Sequence, residues 1–268
     1  MSMSWCSSSR AVGLAVALTA LIICPAACSA EDSLRSCSVD LRRITSSPTR
    51  WSGREWVTTA AVLGATAALY AHDETLQQSA QAARSASTDR LASVARHFGE
   101  AAYLLPMLGG FYAAGRSSKD VRARNTAALG LESLVTGSLF THAVKLAGHR
   151  HRPDESRSSR EWDGPGLRGG RVSFPSRHAT AAFAVMTVVA SEYSDHKWVP
   201  PVAYGLAVLC AWSRVNDNQH WASDVFAGSA VGYFTAKAIL RLHRVETCAF
   251  GVSTSAAGSP LIGVAAAF

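Results

Sequence analysis

Six apolar runs, rich in alanine, alternate with short polar connectors between residues 56 and 243. Strict alternation of apolar and polar residues, which is the pattern of a half-buried strand, is rare in this region, so the pattern favours helices. A chain of 268 residues has room for one sizeable domain around a single core. We therefore predict an all-α fold with helices at about residues 56–72, 88–115, 122–148, 177–193, 199–214 and 221–243.

The ends of the chain differ in composition from this helical region. Residues 1–30 carry one charge, Arg10, ahead of an apolar run and small residues, which is typical of a cleaved signal peptide; an uncleaved N-terminal anchor is the alternative. Residues 31–55 are predicted to be a polar lead-in, residues 56–246 the helical domain, and residues 247–268 a tail that forms a short hairpin or packs on the domain.

The charge balance indicates the kind of partner. The net charge is +7 at pH 7, which favours anionic partners such as phosphorylated substrates or acidic headgroups, although excess arginine can also serve only solubility or topology. Nucleic acid is not expected as a partner, because the basic residues form no helix stripe interleaved with aromatic residues. The oligomeric state is left open.

The lengths of the apolar runs bear on location. Three of the six predicted helices are shorter than the ~20 apolar residues that cross a bilayer, and several are interrupted by His, Glu or Ser, so they are either core helices of a soluble bundle or short, tilted spans. Together with the export segment, this predicts a cell-envelope protein. Membrane association with a periplasm-facing site is favoured, and a soluble periplasmic protein is the alternative.

Basic residues and histidines are concentrated in three short segments at predicted helix ends. In the third segment, His220 and Asp224 are four residues apart and share one face of a first helical turn. A carboxylate in that position can fix the tautomer of the imidazole and leave its other nitrogen basic, so His220 can act as a nucleophile or base. A structural His–Asp pair is the alternative.

The other two segments supply groups that bind anions. Ser176 precedes a helix whose free N–H groups favour an anion, and His178 in the first turn can donate a proton; a serine N-cap beside an incidental histidine is the alternative. Lys145 and Arg152 are cations near a helix C-terminus, where they can bind phosphate or only stabilise the helix dipole. Together with Arg214, these groups suit a dianionic tetrahedral ligand.

The order and spacing of the three segments resemble a known signature. Lys145-x6-Arg152-Pro153, Pro175-Ser176-Arg177-His178 and Ser213-Arg214-x5-His220-x3-Asp224 are similar to the three motifs of the type 2 phosphatidic acid phosphatase and vanadium haloperoxidase superfamily. The match is specific because three spaced motifs coincide over residues 145–224. The resemblance implies a six-helix bundle of the acid phosphatase and vanadium haloperoxidase type.

The resemblance also implies residue roles. His220 would attack phosphorus to form a phosphohistidine, Asp224 would orient it, and His178 would protonate the leaving alcohol. No metal or cofactor would be needed. The phosphate oxygens would be held by Lys145, Arg152, Ser176, the backbone N–H of Arg177, and Arg214. Arg177 departs from the family pattern, which usually has glycine there. The backbone donor survives this substitution unless the position needs a positive φ, and the arginine side chain would add charge at the rim of the pocket or crowd a large leaving group.

We therefore predict a phosphatase that acts on a phosphate monoester or diphosphate. A small phosphate ester would fit the site, but the apolar helices favour a lipid phosphate such as phosphatidate, a polyprenyl diphosphate or a lipid A-type headgroup. Two other functions are open: a vanadium-dependent haloperoxidase, and a non-catalytic phospholipid-binding or transport protein. A metal site at His142, His149 and His151 is not expected, because no carboxylate or cysteine completes it.

Overall fold

The computed structural model of the protein describes residues 42–166, 172–249, 252–254 and 260–262. The predicted signal peptide and the first part of the polar lead-in lie outside these residues. Within them the predicted all-α fold is confirmed, and the seven main helices are α1 (Gly53–Ala82), α2 (Ala86–Ala95), α3 (Ala101–Ser117), α4 (Val121–Gly148), α5 (Arg177–Glu192), α6 (Val199–Asn216) and α7 (Ala222–Ala249).

Shorter elements accompany these helices. Residues 42–46 are helical, and 3-10 helices follow at Ser47–Arg50 and Arg96–Gly99. In the tail, strands β1 (Val252–Thr254) and β2 (Pro260–Ile262) pair antiparallel.

Helix α1 runs ten residues beyond its predicted end at residue 72. The sequence pattern ends the helix there because polar residues follow. However, Asp73 and Gln77 are buried, and the Gln77 and Gln81 side chains donate to the backbone carbonyl oxygen of Val215 in α6. One polar face of α1 therefore packs inward, because its side chains hydrogen-bond to other elements.

The predicted helix 88–115 is two helices joined by a 3-10 turn. Glu100, between the turn and α3, has extended dihedrals, with φ of −94° and ψ of 128°. The turn brings Gly99 close to α5 and α6: a Cβ at this glycine would lie 2.5 Å from the His178 carbonyl oxygen and 2.6 Å from the Cys210 sulfur. Real Cβ atoms do not approach other atoms this closely, so the turn can pass here only with glycine.

Helix α5 is the centre of the bundle and contacts α4, α6 and α7. Small residues let these helices approach closely. The residues buried along α5 are mostly alanine and include Ala179, Ala181, Ala182, Ala184, Val185, Met186, Val188 and Ala190. Cys210 of α6 is a buried free thiol in the same core, as its apolar setting predicts. Among the described residues, we find no helix with both the length and the apolar character that crossing a bilayer requires.

Gly228 of α7 lies against the start of α5, and we expect Gly228→Ala to destabilise the protein by ~1–3 kcal/mol because the added methyl group overpacks this contact. A Cβ there would lie 2.4 Å from the Ser176 carbonyl oxygen. Gly205→Ala is the matched control, since a Cβ at Gly205 in α6 meets no atom within 4 Å and alanine favours the helix by ~0.5–1 kcal/mol. Urea denaturation measures both, and equal stabilisation by the two changes would contradict the close contact.

Candidate active site

The three predicted segments meet at one end of the bundle, where α4 and α6 end and α5 and α7 begin. The Ser176 N–H donates to the Asp224 carbonyl oxygen at 2.9 Å, which joins the second segment to the third. Arg152 donates to the side-chain oxygen of Gln219 at 2.7 Å, which joins the first segment to the third. Lys145 donates to the Val172 carbonyl oxygen at 2.6 Å, just ahead of the second segment.

His220 and Asp224 are both buried, with exposed fractions of 3% and 0%. The Nδ1 atom of His220 lies 3.8 Å from Oδ2 of Asp224, which is longer than a hydrogen bond. The Ser173 hydroxyl lies beside both groups: it is 3.4 Å from the imidazole Nδ1 and donates to the carboxylate. The carboxylate and Ser173 therefore both face Nδ1, which directs Nε2 away from them.

Burial keeps the imidazole of His220 neutral. It lowers the His220 pKa to about 4, and the nearby Lys145 and Arg152 act in the same direction, while Asp224 opposes them. Burial also lowers the pKa of His178 well below its usual range, with further lowering from Arg214, His220, Arg177 and Arg152. Both imidazoles are therefore uncharged at neutral pH, and His220 has the free lone pair that a nucleophile needs.

The start of α5 offers hydrogen-bond donors to an anion. Ser176 is the N-cap residue of the helix and is fully buried, and its hydroxyl has no hydrogen-bond partner among the described residues. The first backbone N–H groups of a helix also have no partner within it. A helix start of this kind binds anions because its N–H groups and its dipole both favour negative charge.

Arg177 occupies the first position of α5 without backbone strain. Among the described residues, positive φ at a non-glycine occurs at Lys119, His149 and Asn218, and Arg177 is not one of them. Its side chain is exposed, and its charge contributes to lowering the pKa of Lys145 and His178. Glycine is therefore not required at this position, and the arginine adds a cation at the edge of the site.

Two of the residues predicted to hold the phosphate, Arg214 and Lys145, are fully or partly buried. Arg214 is 6% exposed and its guanidinium bonds to Ser213 and Asp217. Burial and, to a smaller extent, the charge of Arg152 together lower the pKa of Lys145 to about 7. The cationic groups of the site therefore disfavour one another's charge, and a bound dianion would offset this repulsion.

We expect the affinity for sulfate, a tetrahedral dianion that does not titrate near neutral pH, to fall about tenfold per pH unit above pH 7. Lys145 loses its proton as pH rises through about 7, whereas bound sulfate raises its pKa and favours the protonated form. Binding therefore takes up a proton and is strongest below pH 7. Calorimetry in buffers of different ionisation enthalpy measures both effects.

Lys145→Arg is the control for this prediction, because arginine stays charged over the whole range. Its sulfate affinity should be nearly independent of pH. The same decline in Lys145→Arg would assign the titration to another group.

Sequence reasoning missed three residues that hold the site together. Arg150 lies within the first segment but carried no predicted role, and its guanidinium contacts Asp224 at 2.6 Å. Asp73 of α1 contacts Arg150 at 2.7 Å, and Ser173 contacts Asp224. In the sequence, Asp73 stands beside Glu74 in a polar stretch, and nothing linked it to residues 77 and 151 positions later.

The three histidines near Lys145 that could have suggested a metal site do not form one cluster. Nδ1 of His149 is 3.0 Å from the Gly164 carbonyl oxygen, and Nε2 of His151 is 2.9 Å from Asp163. His142 is exposed on α4. In the part of the chain that the structure describes, no three His, Cys, Asp or Glu side chains are grouped to hold a metal ion.

Sequence comparison identifies related proteins. Residues 127–248 match the sequence model of the PAP2 superfamily. Over 124 residues the chain is 34% identical to a lipid A 1-phosphatase of Porphyromonas gingivalis, a match that covers 46% of this chain and 24% of that protein. Over 144 residues it is 33% identical to a PA-phosphatase related-family protein of Dictyostelium discoideum, covering 48% of this chain and 52% of that one. The matched region thus spans about a quarter and about half of these relatives.

Structural comparison gives the same fold. A transmembrane PAP2-type phosphatidylglycerolphosphate phosphatase from Bacillus subtilis superimposes with a TM-score of 0.53 at 20% sequence identity. The superposition covers 69% of this chain and 96% of that structure. At this identity, the likeness establishes the arrangement of the helices.

Proposed function

Since residues 127–248 match the sequence model of the PAP2 superfamily, we propose that the chain is a phosphatase of this family that forms a phosphohistidine at His220. Its substrate is a phosphate monoester or diphosphate carried by a lipid. The observation that supports this most directly is a buried, neutral His220, backed by Asp224, at the same helix ends as the unpartnered Ser176 hydroxyl.

In the first step, Nε2 of His220 attacks phosphorus and the bond from phosphorus to the leaving oxygen breaks. His178, which takes up a proton when the phosphate dianion binds, gives that proton to the leaving oxygen. A monoester therefore leaves as a neutral alcohol, and a diphosphate leaves as the lipid monophosphate. In the second step, His178 takes a proton from water as the water oxygen attacks phosphorus. The phosphorus–nitrogen bond then breaks and inorganic phosphate is released. The non-bridging oxygens are held throughout by Lys145, Arg152, Ser176, the backbone N–H of Arg177, and Arg214.

Two observations support a lipid substrate and a cell-envelope location with the site facing the periplasm. The matched Porphyromonas protein is named for lipid A, and the structural neighbour is named for phosphatidylglycerolphosphate. Large apolar side chains are exposed along α1 and α6, including Trp56, Val57, Leu63, Val202 and Val208, where contact with lipid would shield them from water. Fractionation with and without detergent tests this location.

The activity is tested with purified protein and four substrates: phosphatidate, a polyprenyl diphosphate, a lipid A-type phosphate and p-nitrophenyl phosphate. We expect release of inorganic phosphate from at least one lipid, unaffected by EDTA and inhibited by vanadate. Release from none of the four would refute the proposal. Halide oxidation that requires added vanadate would indicate a haloperoxidase, and tight lipid binding without turnover would indicate a binding or transport protein.

A further inference from the structure

Arg150 follows α4 and is among the largest fully buried side chains of the described residues, with an exposed fraction of 1%. Its guanidinium donates to Asp73 at 2.7 Å, to Asp224 at 2.6 Å and to the hydroxyl of Ser223 at 2.8 Å. Its Nε donates to the Ser159 carbonyl oxygen at 2.9 Å. A buried guanidinium is tolerated only with such pairing, so these four contacts determine its position.

The contact with Asp224 uses the carboxylate oxygen that faces away from the imidazole. Arg150 binds Oδ1, while Oδ2 accepts from the Trp221 N–H at 2.9 Å and from Ser173. With both oxygens engaged, the carboxylate cannot rotate without breaking a charge-assisted hydrogen bond. Arg150 therefore keeps Oδ2 directed at Nδ1 of His220.

Asp73 holds Arg150 from the opposite side. One of its oxygens accepts from Arg150 and from the Ser223 hydroxyl, and the other accepts from the Ser223 N–H at 2.9 Å. Asp73 therefore joins α1 to the first turn of α7, which also carries Asp224. Helix α1 lies outside residues 127–248, so the segment that matches the family does not contain this half of the pair.

We propose that Arg150 and Asp73 are positioning residues for the reaction: a buried ion pair that holds the Asp224 carboxylate in place and, through it, orients His220. This inference rests on the proposed function. It differs from a purely structural role because it predicts a change in kcat and in the titration of His220, and not only in stability.

The sign of the titration change follows from the charges around the imidazole. The groups that face His220 are Asp224 of α7, Lys145 of α4, Arg152 in the segment after it, and His178 of α5. Asp73→Asn removes the negative charge that lies beyond Arg150 and Asp224 as seen from His220, so the His220 pKa should fall. Arg150→Met removes a positive charge, so the His220 pKa should rise.

The experiment compares Asp73→Asn, Arg150→Met and Arg150→Lys with the native protein. We expect kcat for p-nitrophenyl phosphate to fall about 10–100-fold in the first two, the size typical of outer partners of an active group, while KM and sulfate affinity stay within about threefold. Arg150→Lys should recover part of the rate, because it keeps the charge but not the two-sided fork. NMR titration of His220, assigned from the spectrum of His220→Ala, should show the opposite pKa shifts.

Glu132→Gln is the matched control. It removes a partly buried acid from the interhelical pair with His243 in α7, 13 residues before Lys145 on α4 and so about 20 Å along the helix from it. Its kcat and His220 titration should match those of the native protein.

Two outcomes would overturn the inference. The first is a set of variants with lowered melting temperature but native kcat and native His220 pKa, which would make the pair structural only. The second is pKa shifts of the same sign in Asp73→Asn and Arg150→Met. If Arg150→Met does not fold, Asp73→Asn and Arg150→Lys still distinguish a positioning role from a purely structural one. If the native protein hydrolyses no substrate, the proposed function fails, whereas the NMR titration and sulfate binding still test the positioning.

Discussion

Replacing His220 with alanine is expected to lower kcat for phosphate release by a factor on the order of 10⁴ or more, because no other group can form the covalent intermediate. The imidazole is buried and uncharged, with the Asp224 carboxylate behind it. Water acting directly on the bound ester would leave only the residual rate that the cationic pocket supports. Steady-state kinetics with p-nitrophenyl phosphate and with the best lipid substrate measure the loss.

A trapping experiment makes this prediction specific to the nucleophile. Rapid quenching of the native protein during turnover should capture an acid-labile phosphoryl group on the chain, and His220→Ala should capture none. His142→Ala is the control, because His142 is exposed on α4, three residues before Lys145; its rate and trapped phosphate should be native. Turnover retained in His220→Ala would refute the assignment of the nucleophile.

Replacing His178 with alanine is expected to lower kcat/KM, which reports the steps up to departure of the leaving group, about 10²–10⁴-fold for an alkyl or lipid phosphate and far less for p-nitrophenyl phosphate. An alkoxide needs a proton in order to leave at neutral pH, whereas nitrophenolate leaves without one. The comparison of the two substrates in one variant therefore isolates the proton transfer. Equal losses on both substrates would contradict the role of His178 as the acid.

The low pKa of His178 is compatible with this role. Apart from burial, the groups that lower the pKa are Arg214, His220, Arg177 and Arg152, and a bound phosphate dianion offsets their charge. Substrate binding should therefore raise the His178 pKa and supply the proton when it is needed. In NMR spectra, sulfate should shift the His178 titration to higher pH, and an unchanged titration would count against this coupling.

The helical architecture was largely predictable because it depends on local periodicity. The helix pattern anticipated α4 to α7 to within a few residues, apart from a longer C-terminal end for α7. It was less accurate where tertiary contacts override the pattern. The predicted end of α1 at residue 72 was too early, because buried polar side chains continue that helix, and the turn at Gly99 within 88–115 follows from a close approach to α5 and α6.

The same division applies to the candidate site. The residue types and spacing around Lys145, His178 and His220 were sufficient to predict an anion site, because the groups that contact a phosphate must themselves be cationic, hydrogen-bond donating or nucleophilic. The residues that hold these groups in place do not contact the phosphate, so their chemical type does not have to match it. Asp73 and Arg150 therefore look in the sequence like an ordinary acid and base, and only their burial at 2.7 Å from each other shows otherwise.

By itself, the sequence predicted that the chain is helical and that it has side chains suited to holding and attacking a tetrahedral phosphate, since both properties are set by residue type and short-range spacing. Only the tertiary structure decided how those side chains are held. A pairing between Asp73 and Arg150 spans 77 positions, and its strength comes from the exclusion of water by packing, which no local pattern encodes.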